Sequence, residues 1–320
     1  MRTLLDKFAG SRVLLIGDVI VDLYTYGSAM GLSAETPTIV SRFREVRRTL
    51  GGAAFVCRNL LELGAQVDFL TLTGGDEEGA RIRDWKAPNL HLGGATDEAR
   101  NTTVKHRFWV DGYKLFQLDT RNDEPILPAL AAAAMAQIEA LAPKADCIVI
   151  SDYRHGFLIP DLVKQVLALA AALGKRVYVD SQVSQTISNH HLYQPDAVIC
   201  LNVKEARCID PAFTPSPSPQ AFATLRKLLN TGTIVVKMGE KGAMMLSGDR
   251  VIEAPARKVE VVDTIGAGDA FLAAFCLAGL EDPATALAVA NAWAGLSVGV
   301  HGTTPPRRAA LAVQLEQVSA

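Results

Sequence analysis

The sequence predicts an α/β fold, a mostly parallel central sheet with helices on both faces, and three observations carry that reading. Short β-branched runs recur at Arg12–Gly17, Val67–Thr73, Asp146–Ser151, Arg176–Asp180, Ala197–Leu201 and Thr233–Lys237, each bounded by glycine or a charge, as buried parallel strands are. Between them lie segments of helical spacing long enough to cross a sheet, including Leu127–Leu141, Leu158–Leu173 and Pro219–Leu229. The 320 residues are 49% hydrophobic, enough for a sizeable core, which excludes a disordered or fibrous chain.

Taken in order, two stretches break the alternation. Val21–Val46 carries Tyr24, Tyr26, a Gly-Ser pair and the alternation Thr38–Phe43, and Asn101–Leu118 alternates around the turn Asp111–Gly112. Both read as strands outside the main sheet, at about 21–46 and 101–118, and such strands form either a lid that excludes water from a reacting centre or a decorated sheet edge. The last third is helical and strongly apolar at Asp269–Leu280 and Thr285–Val298, so it packs against the sheet. Pro211–Pro219 is a loop too short to separate independent domains, and residues 1–320 are expected to form one.

Composition narrows the function. Thirty-two basic against 34 acidic side chains leave a net charge of −2, so nucleic acid is not an expected partner. No apolar run reaches the roughly 18 residues of a membrane helix, and Met1–Gly10 is charged where a signal peptide would be apolar, so no membrane association and a cytoplasmic location are expected. Cys57, Cys147, Cys200, Cys208 and Cys276 are scattered and without C-x-x-C spacing, which reads as reduced and mostly buried thiols. His155, His190, His191 and His301 are too dispersed for a metal site and read as solvated or hydrogen-bonding side chains.

The chemistry concentrates in VEVVDTIGAGDAFLAAF at Val259–Phe275. A strand ending at Asp263, a Gly-Ala-Gly turn and a helix opened by Asp269 would place free backbone amides beside a carboxylate. That pairing suits a reaction in which one group takes a proton while a neighbouring phosphate gathers charge. Alone, the same residues also read as a tight turn and a helix cap.

DTIGAGDAF resembles the signature of the ribokinase-like, PfkB-type carbohydrate kinases, and further motifs follow the family order: Gly17-Asp18 with Asp22, Leu50–Ala54, Asn202 with Glu205, and Gly239 with Gly242. The resemblance runs from about Arg12 to Pro306. It implies a three-layer ribokinase-like fold with a small β lid, ATP and a sugar as substrates, Mg²⁺, room for a monovalent cation such as K⁺, and a homodimer formed through the lid. By the same resemblance Asp269 is the general base and the amides of Gly266, Ala267 and Gly268 stabilise the transferring phosphoryl group. Asp18 and Asp22 bind sugar hydroxyls, as Gly51 and Gly52 do through their backbones. Asn202 and Glu205 act on magnesium and phosphate through water. Lys237, Gly239, Gly242, Asp263, Thr264 and Asn291 complete the nucleotide site.

Within that family the chain is most similar to kinases of D-glycero-D-manno-heptose 7-phosphate, through GLSAETPTIV at Gly31–Val40, TVKHRFWVDGYKLFQLD at Thr103–Asp119, SDYRHGFL at Ser151–Leu158 and VGVHGTTP at Val298–Pro305. Those kinases commonly carry basic residues where this chain has Gly31, Gln117, His155 and Gln182, and an Asn where it has Phe55. Lys105 and Arg107 remain, to bind a substrate phosphate or to pair with acidic lid residues. A heptose phosphate is therefore the expected acceptor, with a neutral sugar as the alternative. Trp109 and Tyr113 either stack on the sugar or pack between strands. Many such kinases carry a fused nucleotidyltransferase; in 320 residues phosphorylation alone is expected. A binding protein without catalysis would not need Asp269 beside an intact Gly-Ala-Gly. A nicotinamide dehydrogenase would need the G-x-G-x-x-G that is missing after Gly17, and no Walker A sequence occurs.

Overall fold

The computed structural model describes residues 2–183 and 188–316. The chain begins with α1 (Arg2–Gly10) and β1 (Arg12–Gly17), then forms a long hairpin from β2 (Val19–Leu32) and β3 (Ile39–Gly52). Next come α2 (Ala53–Leu63), β4 (Gln66–Gly74), α3 (Glu77–Arg83) and β5 (Leu90–Asp97), followed by a second hairpin of β6 (Val104–Val110) and β7 (Tyr113–Thr120). The middle third holds α4 (Pro128–Leu141), β8 (Cys147–Asp152), α5 (Pro160–Ala172), β9 (Arg176–Ser181), β10 (Val198–Asn202), α6 (Val203–Ile209) and α7 (Ala223–Leu229). The chain closes with β11 (Thr233–Lys237), β12 (Ala243–Ser247), β13 (Arg250–Ala254), α8 (Ala267–Ala278), α9 (Pro283–Ser297) and α10 (Arg308–Glu316).

Nine strands make the main sheet in the order β13-β12-β11-β10-β9-β8-β1-β4-β5. Neighbours from β11 through β5 run parallel, while β12 and β13 add an antiparallel edge. Because successive side chains leave a strand on opposite faces, the apolar runs feed two cores at once. Val13 and Leu15 join the core under α2, α8 and α9, and Leu14 and Ile16 join the one under α4 and α5. The alanine-rich α8 and α9 lie against the sheet and each other, and the largest ring there, Trp293, is fully buried. Its indole N–H donates to Asn59 Oδ1 at 2.8 Å, which satisfies a polar atom that burial would otherwise penalise.

The two irregular stretches do form a separate sheet, in the order β3-β2-β6-β7, with β2 parallel to β6 and both hairpins antiparallel. The second hairpin turns on Asp111 and Gly112, both at positive φ (47° and 86°), the backbone that a two-residue turn between twisted strands demands. Register shifts at Tyr26/Gly27 and Ala29/Gly31 bend the first.

Several elements differ from the sequence reading. No strand ends at Asp263: residues 255–266 are irregular, Val261 and Val262 are exposed, and α8 opens at Ala267. Alternation there signalled a strand, yet the segment has no partner strand to pair with. Pro219–Leu229 is a 3₁₀ turn followed by a short helix. The strands β5, β12 and β13 were not expected; β5 contains Gly93 and Gly94, which remove the side-chain pattern that marks a strand. All five cysteines are unpaired and four are buried. No helix among the described residues is long and apolar enough to cross a membrane.

Candidate active site

The carboxyl ends of the parallel strands converge on one cavity of about 330 Å³, at the place where the strand order reverses between β1 and β8. Ser151 and Asp180 are the penultimate residues of β8 and β9, and Asn202 and Lys237 are the last residues of β10 and β11. The first turn of α8 supplies Gly268 and Asp269, and the second sheet contributes Ile20, Asp22, Gly52, Lys105 and Arg107 from the opposite side.

Asp269 is the third residue of α8, in its first turn, and the turn before it depends on Gly266, whose φ of 78° caps the helix in the left-handed region. A side chain at Gly266 would overlap the ring of Phe55, so this glycine is required twice over. The Ala267 N–H is committed to the Thr264 carbonyl at 3.3 Å, which leaves the expected three-amide anion hole one donor short in this conformation. Burial and the nearby Asp180 raise the Asp269 carboxyl to about 7, with Lys237 pulling the other way. A carboxyl so placed exchanges its proton close to neutral pH, as a general base should.

A residue the motifs did not single out completes this corner. The Tyr153 hydroxyl donates to both oxygens of Asp269, at 2.8 and 3.0 Å. Tyr153 lies in the SDYRHGFL run, but only the fold reveals its partner, 116 residues away.

Opposite, Lys237 pairs with Asp180 beside Gly268. Burial alone would make the ammonium easier to deprotonate, yet Asp180 and Glu205 more than offset this and keep it charged. Asn202 and Glu205 form a reciprocal cap on α6, the Asn202 side chain accepting from Glu205 N–H at 2.9 Å and the Glu205 carboxylate from Asn202 N–H at 2.7 Å. The N-x-x-E spacing therefore has a local structural cause, and it also sets both side chains on the cavity wall. Burial and Asp180 raise the Glu205 carboxyl. These hard oxygen donors fit a magnesium ion that keeps most of its waters; among the described residues no cluster of three or more His, Cys, Asp or Glu forms a closed cage.

On the second sheet Arg107 donates to Asp22 at 2.6 Å, both side chains nearly buried. Burial raises the Asp22 carboxyl despite that partner. Lys105 stands with its ammonium 5.8 Å from the Tyr153 ring centre.

Other expected residues lie outside this cavity. Asp18 is buried, and its Oδ2 accepts the Tyr153 and His155 N–H groups at 2.9 and 3.3 Å, which secures the loop after β8. Gly51 packs against the Asp22 carboxylate, which explains the need for glycine there without a ligand. Asp263 bridges Ile265 N–H (2.9 Å) and Gly302 N–H (3.0 Å), tying the loop before α8 to the one after α9, with Thr264 between. Asn291 donates to the Ala254 carbonyl at 2.6 Å. Ala254 is also a wall of a second cavity, about 750 Å³, beside the Gly239–Gly242 turn and lined by Val203, Arg207, Met238, Ala243 and Pro255. The two cavities flank α6 and the end of β11. Trp109 and Tyr113 line neither. Of the alternatives for the histidines, His155 and His190 are buried and not solvated, and His190 Nδ1 hydrogen-bonds Ser188 Oγ at 2.8 Å; each leaves one ring nitrogen without a partner, and burial lowers both to about 4.

Residues 11–310 match the pfkB family of carbohydrate kinases. The chain belongs to that family. Kinases of this ribokinase-like family use ATP with Mg²⁺. Among similar proteins, the bifunctional protein HldE of Nitrobacter winogradskyi is 33% identical over 93% of the chain, and that of Hyphomonas neptunium 33% identical over 94%. The chain spans 62% of the length of each. The fold is that of solved kinases: phosphofructokinase-2 of Escherichia coli in complex with potassium superposes with a TM-score of 0.76 (16% identity, 97% of this chain and 99% of that one). The ribokinase of Arabidopsis thaliana complexed with ribose and ATP superposes at 0.72 (20% identity, 96% and 99%).

Proposed function

We propose that this kinase transfers the γ-phosphoryl group of ATP to a hydroxyl of a heptose phosphate of the D-glycero-D-manno-heptose 7-phosphate type. The observation that carries the substrate is the similarity to HldE proteins along more than nine-tenths of the chain, together with the lid-like segments at Gly31–Val40 and Thr103–Asp119. In this reading the nucleotide base occupies the second cavity, beside Gly239, Gly242 and the Asn291-held Ala254, and the phosphates run past Asn202 and Lys237 to the start of α8. Asp269 takes the acceptor proton. The amides of Gly266 and Gly268, with Ala267 once its turn opens, receive the charge that gathers on the transferring group, and Lys237 compensates it. Magnesium, held through water by Glu205 and Asn202, supplies charge neutralisation along the phosphates. Asp22 and the Gly52 backbone orient the sugar, with Lys105 nearest its phosphate.

One observation favours a second reading, a neutral sugar. Arg107 is committed to Asp22, so of the two cations that the second sheet brings to the cavity only Lys105 remains for a substrate phosphate. A panel of acceptors separates the readings: ADP release with heptose 7-phosphate, free heptoses, hexoses and pentoses should be fastest with heptose 7-phosphate. Fastest turnover of an unphosphorylated sugar would give the site to the second reading.

The second sheet serves as a lid, and we expect it to pair with a second copy. Met30, Leu32, Phe43, Phe116 and Leu118 are all more than half exposed on it, an apolar edge that proteins usually cover. Light scattering at micromolar concentration should give twice the chain mass, and Phe116→Lys with Leu118→Lys should halve it. A parent of single-chain mass would overturn the expectation.

A further inference from the structure

The geometry assigns Tyr153 as a positioning residue that holds the Asp269 carboxylate ionised and oriented for proton acceptance; the inference rests on Asp269 being the general base. Three observations converge on it. The phenol donates to both oxygens of a half-buried carboxyl, 2.8 and 3.0 Å away, and it lines the cavity in which the acceptor would lie. Its backbone is fixed in turn, because Tyr153 N–H donates to the buried Asp18, as does the N–H of His155. The phenol's own proton stays on: burial and the adjoining Asp269 push its ionisation well above the usual tyrosine range, so Tyr153 acts as a donor at every working pH.

A chain thus runs from Asp18 at the end of β1, through the loop after β8, to the base on α8. It gives the Gly17-Asp18 motif a task other than sugar binding. The ionisable groups that face Asp269 come from four directions: Tyr153 from the loop, Asp180 from β9, Lys237 from β11 and Asp22 from the second sheet. Burial, Asp180 and Asp22 disfavour the carboxylate, whereas Lys237 and the Tyr153 hydrogen bond favour it. Since the carboxylate has two oxygens, one can accept from the sugar hydroxyl while the phenol keeps the other, so the donor need not leave for the base to work. On proton transfer the acceptor O–H bond breaks and an O–H bond forms on Asp269, as the acceptor oxygen bonds phosphorus and the ADP oxygen leaves with its electron pair.

The sign of the effect follows. Without the phenolic O–H, the Asp269 carboxylate loses a stabilising donor and its pKa rises, so Tyr153→Phe should move the acid limb of the kcat/KM profile up by about one pH unit. Placing 3-fluorotyrosine at position 153, a more acidic phenol and a stronger donor in nearly the same volume, should move it down. The profiles are measured with ATP and the best acceptor of the sugar panel. The same shifts should be seen without turnover, by ¹³C titration of the side-chain carboxyl whose resonance disappears in Asp269→Asn. A limb and a resonance that stay within about 0.2 units in both Tyr153 variants would overturn the assignment while leaving Asp269 as base. If Asp269→Asn retains full activity, it is the base itself that has been misassigned.

Discussion

Asp269→Asn will lower turnover by about 10²–10⁴-fold while ATP binding, read by calorimetry, changes little. The amide keeps the shape of the carboxylate and still accepts from Tyr153, but it cannot take the acceptor's proton. In the parent enzyme the carboxyl is held at about 7, well above the ordinary aspartate value, by burial and by Asp180. A base must be deprotonated to work, so kcat/KM should fall as pH drops through about 7 and level off above it. More than about a tenth of the parent turnover in the variant, where chemistry limits the rate, would contradict the role.

Lys237→Ala carries the next largest effect. Its ammonium lies beside Gly268 and pairs with Asp180, where charge on a transferring phosphoryl group would gather. Loss of one preorganised charge of this kind costs roughly 10²–10³-fold in turnover. The variant also leaves Asp180 buried without its cation and removes a group that favours the Asp269 carboxylate, so the acid limb should shift to higher pH as well. The two effects are separable by comparing the rate on the plateau with the position of the limb. An unchanged plateau would mean that Lys237 only neutralises Asp180.

The sequence made the strand framework visible because the central parallel strands are buried on both faces and therefore largely apolar, as in Leu14–Ile16 and Val149–Ile150. It pointed equally to the second sheet, through the sequence alternation at Thr38–Phe43 and around the turn Asp111–Gly112. Where pattern and packing diverge, sequence reading failed. Val259–Asp263 alternates without a strand to pair with, and β5 pairs despite its glycines. The candidate site shows the same division. Asp269, Asn202, Glu205 and Lys237 belong to motifs with local causes, a helix start, a capping box and a strand end, so their neighbourhoods were readable. Tyr153 was not, since its partner is distant in sequence. Asp18 was read only as a sugar ligand, and its service to backbone N–H groups in the loop after β8 is visible only in the fold. Arg107 was left open between substrate and carboxylate, and the short contact with Asp22 favours the carboxylate.

Acceptor charge remains the decisive point. If Lys105 alone meets a substrate phosphate, a charge-assisted contact of about 1.5–3 kcal/mol converts to a preference of roughly 10–10²-fold. The measurement is kcat/KM for heptose 7-phosphate against the matched unphosphorylated heptose, in the parent and in Lys105→Ala. A preference of that size for the phosphorylated sugar, lost in the variant, is the predicted result; equal or better use of the free heptose by the parent would contradict it.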